Sequence, residues 1–61
     1  MKMRTLEEVV DEMDANVRRQ EKILHAAKDR GYPLAGERFE MQILDAAFKK
    51  LEAELKSHGA A

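Results

Sequence analysis

From Leu6 onward the apolar residues recur at alternating steps of four and three: Leu6, Val10, Met13, Val17, then Leu24 and Ala27, with Gln20 filling the remaining slot. This spacing predicts an α-helix with a heptad seam. Val9 and Ile23 widen the stripe on one flank. Thr5-Leu6-Glu7-Glu8 fits a capping box, with Thr5 as the N-cap and Glu8 three residues on. No glycine or proline intervenes until Gly31, which suits the left-handed residue after a helix end, and Pro33 bars simple continuation. A first helix is expected over about residues 6–30, followed by a turn over about 31–36.

A second periodic run follows the turn: Met41, Leu44, Phe48, Leu51, Leu55 and His58, again alternating three and four. Its helix is expected over about residues 34–57, with Pro33 favouring an early start and Gly36 weakening it. Two helices of equal length and a short connection predict an all-α, antiparallel two-helix hairpin occupying residues 1–61 as one domain. With the turn near Tyr32, Val17 is expected to face Phe48, Met13 to face Leu51, Val10 to face Leu55, Leu24 to face Met41 and Gln20 to face Leu44. The acids Glu7, Glu8, Asp11 and Glu12 then lie near Lys49, Lys50 and Lys56, and the basic end of the first helix (Lys28, Arg30) suits its dipole.

Composition sharpens this picture. At 61 residues, the chain falls below the size at which one core comfortably stabilises a fold without disulfides, metal or a second subunit. It has no cysteine, and its two histidines are too few for a structural zinc site. Well-idealised helix packing, self-association or both remain as the staple, and a homodimeric four-helix bundle of coiled-coil type is the expected assembly. The 11 Lys and Arg are offset by 12 Asp and Glu, so nucleic acid is an unfavoured partner. No run approaches the roughly 20 apolar residues of a membrane span, and residues 1–4 lead into charge rather than a signal sequence. The expected location is the cytoplasm.

Helix 2 has more apolar surface than one hairpin can cover. Phe39 and Ile43 lie a turn apart and are followed by Ala46 and Ala47, a stripe roughly 120° from the Leu44–Leu55 seam at about 100° per residue. An exposed stripe of this kind marks an interface. Phe39, Ile43, Ala46 and Ala47, with Val9 and Ile23 on helix 1, are the candidate interface residues, for a second copy or for another protein.

Candidate chemistry is sparse. His25 has Glu21 and Asp29 one turn to either side, a surface pairing rather than a metal site, since two or three ligands from one helix make a poor one. His58 near a helix C-terminus is placed for the dipole. Met13 and Met41 read as gap-filling core. Gly31 and Gly36 flank a turn without the Lys–Ser/Thr that a phosphate loop requires, and no nucleophile–base pair is present. No cofactor, metal or catalytic residue is expected from these residues.

The run from Gly31 to Asp45, and Met41-Gln42-Ile43-Leu44-Asp45 most of all, resembles the second half of the Spo0E-like aspartyl-phosphate phosphatases, small helical hairpins with a turn glycine and a Ser-Gln-x-x-Asp signature on helix 2. Gln42, Leu44 and Asp45 match, while Met41 stands in place of the serine. The resemblance covers about a quarter of the chain. It implies roles for Gln42 and Asp45 at the phosphoaspartate of a response regulator. The hairpin pattern is also similar to that of Rop-type RNA-binding dimers, although Arg18, Arg19 and Lys22 are interleaved with acids. The leading expectation is a small non-enzymatic, protein-binding regulator or adaptor acting as a homodimeric bundle, with the phosphatase and the RNA-binding hairpin as alternatives.

Overall fold

The computed structural model describes residues 4–59 and consists of two antiparallel helices, α1 (Leu6–Arg30) and α2 (Ala35–Gly59), 25 residues each. The ends of the expected 1–61 domain, residues 1–3 and 60–61, lie outside the described residues. The hairpin measures 45 × 18 × 16 Å, close to the length of the helices themselves.

Both ends of α1 follow from local chemistry. The Thr5 hydroxyl accepts from the Glu8 backbone N–H at 3.2 Å, and the Glu8 carboxylate accepts from the Thr5 N–H at 3.3 Å. Gly31 takes φ 91° and its N–H donates to the carbonyls of Ala27 and Lys28. A side chain there would be strained, so the helix stops where glycine stands. α2 runs from Ala35 to Gly59, within one or two residues of the expected 34–57, and leaves residues 31–34 to the turn. Its first intrahelical bond runs from the Arg38 N–H to the Leu34 carbonyl. Glu37 folds back to accept from the Leu34 N–H at 2.9 Å and pairs with Arg30 across the turn. Gly36 is carried inside the helix because this cap lies upstream of it.

The face that α1 turns to α2 differs from the richest aliphatic seam. Val9, Asn16 and Ile23 are the buried residues of α1, with Met13 and Gln20 half-buried between them and Ala27 half-buried one turn beyond. This is also an alternation of four and three, displaced round the helix from the expected Leu6–Val10–Val17–Leu24 line, whose four residues are all exposed. Val9 and Ile23 therefore belong to the hairpin core and not to an interface, a correction of the sequence reading. On α2 the expected seam does face inward. Leu51 is buried, and Met41, Leu44, Phe48, Leu55 and His58 are half-buried.

Asn16 explains the choice of face. Its side-chain amide donates to the Leu44 carbonyl across the hairpin at 2.9 Å, and Gln20 in turn donates to Asn16 Oδ1 at 2.5 Å. A buried amide satisfied at both ends fixes helix register in a way that aliphatic contacts do not. Truncating it as Asn16→Ala leaves the Gln20 donor without this acceptor inside the hairpin. A loss of about 1–3 kcal/mol is expected in urea denaturation, whereas Asn16→Leu combined with Gln20→Leu should be milder because both partners of that bond are replaced by apolar groups.

Candidate functional site

The two long sides of the hairpin are chemically unlike. One is closed by charge. Arg19 on α1 forms a bidentate pair with Glu40 on α2, at 2.5 and 3.1 Å. Arg4, just before α1, bonds Glu54 of α2 through two nitrogens and also pairs with Glu12. The cross-helix charges are thus bases on the α1 strand of the hairpin meeting acids on α2, the reverse of the expected pairing of Glu7, Glu8, Asp11 and Glu12 with lysines. Arginine pairing holds the carboxyls of Glu37, Glu40 and Glu54 below their ordinary range, with the Leu34 N–H helping at Glu37. A carboxyl depressed on folding stabilises the fold above its unfolded pKa of about 4.3 and loses that contribution as pH falls through the lower folded value. Thermal stability should therefore decline on acidification below about pH 4.5, and Glu40→Gln should flatten that decline when melting is followed by circular dichroism across pH.

The other long side is a groove. Val10, Met13, Asp14 and Val17 of α1 and Phe48 and Leu55 of α2 line it as a shallow, open depression of about 380 Å³. At about 100° per residue, Leu6 and Leu24 fall on the same flank of α1 and Met41 on the same flank of α2. The face is therefore an almost unbroken apolar strip running the length of the hairpin. Leu6, Val10, Val17 and Leu24 are 39–56% exposed on it. Only three apolar side chains (Val9, Ile23 and Leu51) are buried in the described hairpin. Four large aliphatic side chains thus lie exposed on this strip, against three enclosed between the helices.

A second apolar surface lies elsewhere on α2. Phe39 and Ile43 are 65% and 53% exposed, and Ala46 is exposed beside them, whereas Ala47 is half-buried. This patch lies away from the residues that line the groove, on a stripe of α2 separate from the Leu44–Leu55 seam. Arg38 and Lys50 flank it on the same helix.

The remaining candidates are dispersed. Gln42 and Asp45 are both exposed, and Asp45 pairs with Lys49 at 3.4 Å, an ordinary i, i+4 contact. His25 is exposed beside Glu21, Leu24 and Lys28 in a shallow surface depression. His58 Nε2 is buried with no hydrogen-bond partner among the described residues. No group of three or more His, Cys, Asp or Glu is arranged to hold a metal among the described residues, and none of the described helices is long and apolar enough to cross a membrane. Asn16 is the residue that sequence reasoning missed. Its signal was present, since it occupies the middle of the Val9–Met13–Gln20–Ile23 alternation. Comparison of the chain with protein-family models, curated proteins and solved structures finds no match.

Proposed function

We propose that the chain is a small non-enzymatic regulator or adaptor that binds other proteins, and that its working form is a homodimeric four-helix bundle. The observation that carries this reading is the pair of separate apolar surfaces. The Leu6–Leu24 strip with Met41, Phe48 and Leu55 covers the groove side, and the Phe39–Ile43 patch lies on the outside of α2.

The area supports a second copy on the strip. The accessible surface is 5056 Å², whereas a compact monomer of this mass exposes about 4,000 Å². Two copies packed to ordinary compactness would together bury on the order of 3,000 Å², above the roughly 1,600 Å² of a standard stable interface. A strip along the whole hairpin is the only described apolar surface long enough to supply such an area. The smaller patch then remains accessible on the assembled bundle, and its flanking Arg38 and Lys50 suit a partner segment that is apolar with acidic neighbours.

Changing Phe39→Gln together with Ile43→Gln separates the two roles. Helical content and dimer mass should stay as in the wild type, because neither residue lies on the strip or in the core. Proteins that co-purify with the wild-type chain from its native host should be lost with the double variant. Melting of the helices in this variant, checked by circular dichroism, would instead assign both residues to the core.

A further inference from the structure

The orientation of the dimer follows from the charges bordering the strip. Two hairpins packed strip to strip can place their turns at the same end or at opposite ends, and in both cases all neighbouring helices are antiparallel. With the turns together, α1 lies beside α2 of the second copy. With the turns opposed, α1 lies beside α1 and α2 beside α2. The apolar residues allow either arrangement. Val10, Val17 and Leu24 are spaced evenly about Val17, and Met41, Phe48 and Leu55 are spaced evenly about Phe48. Val17 and Phe48 line one groove, so a single two-fold axis at that level serves both helices. The central layer holds two valines and two phenylalanines whichever way the copies run.

The bordering charges do differ. On the outer edge of the strip α1 carries Glu7, Asp14, Glu21 and Lys28, and α2 carries Arg38, Asp45 and Glu52, each at seven-residue spacing. With the turns together, Lys28 lies level with Arg38 of the second copy, twice per dimer. With the turns opposed, Glu7 lies level with Lys28 of the second copy, also twice. Acids face acids across the middle in both arrangements, where Asp14 pairs with Arg18 at 3.0 Å and Asp45 with Lys49 at 3.4 Å within their own helices. The ends therefore decide, by exchanging two repulsions for two attractions.

We infer that the second copy seats on this strip with its turn at the opposite end, so that Glu7 of each α1 meets Lys28 of the other. The inference rests on the dimer reading above and adds its orientation. It gives the bundle two Phe39–Ile43 patches, one towards each end, and makes it a bivalent connector.

The test uses the full chain, which contains no cysteine, with Tyr32→Cys in the exposed turn carrying a nitroxide label. Double electron–electron resonance should give one label-to-label distance of about the hairpin length of 45 Å. A distance below about 20 Å, set by neighbouring helix axes 8–10 Å apart, overturns the orientation but keeps the dimer. No dipolar coupling, with a monomer mass at the same concentration, overturns both. In the supported case, Lys28→Glu should weaken the dimer, and adding Glu7→Lys to the same chain should restore it.

Discussion

Val17→Glu is expected to abolish the dimer. Val17 is 39% exposed on the single hairpin, so a glutamate there reaches water and costs the isolated hairpin little. At the proposed two-fold, the same change places two carboxylates in an apolar layer beside Phe48, each with an effective burial cost of several kcal/mol. The dimer dissociation constant should rise by more than about a thousandfold, roughly 4 kcal/mol at 1.4 kcal/mol per tenfold. Sedimentation velocity on the variant and on Val17→Leu as an apolar control measures this. Unchanged association of the glutamate variant would place Val17 on a solvent face of whatever assembly forms.

Leu51→Ala should have the larger effect on folding itself. Leu51 is the most buried residue of α2, one of three enclosed apolar side chains in the described hairpin. Truncating such a leucine costs about 2–5 kcal/mol, while a chain of this length has only about 3–9 kcal/mol in total. Urea denaturation followed by circular dichroism should find the variant largely unfolded at micromolar concentration. A shift of less than about 1 kcal/mol would mean that Leu51 is not packed against α1.

The contrast between these two sites shows how much of the molecule can be read from its residues. The bounds of α1 are legible because Thr5, Glu8 and Gly31 are local signals that act through their own backbone neighbours. The start of α2 is less so. Its cap is made by Glu37 reaching back to Leu34 and held by Arg30, a contact that exists only once the turn has closed. The inward face of α1 is not legible for a related reason. Two heptad lines share Met13, Gln20 and Ala27, and the one with more aliphatic residues looked like the hairpin seam. Hydropathy assigns no benefit to an amide in a core, whereas Asn16 is satisfied there by Leu44 and Gln20. The more aliphatic line was left outside, where it forms the proposed dimer surface.

The Phe39–Ile43 patch was legible for the opposite reason. No long-range contact was needed to expose it, only the angle between its stripe and the Leu44–Leu55 seam. The cross-hairpin charges could not be read at all, because Arg4 and Arg19 reach their acids through long side chains that sequence spacing does not constrain.

Sedimentation equilibrium of the wild-type chain at micromolar concentration tests the central claim most directly. The expected result is a single species of twice 7.0 kDa, whose helical content falls only when dilution dissociates it. A fully helical, thermally stable species of 7.0 kDa would contradict it, since the hairpin would then be self-sufficient with its longest apolar face in water.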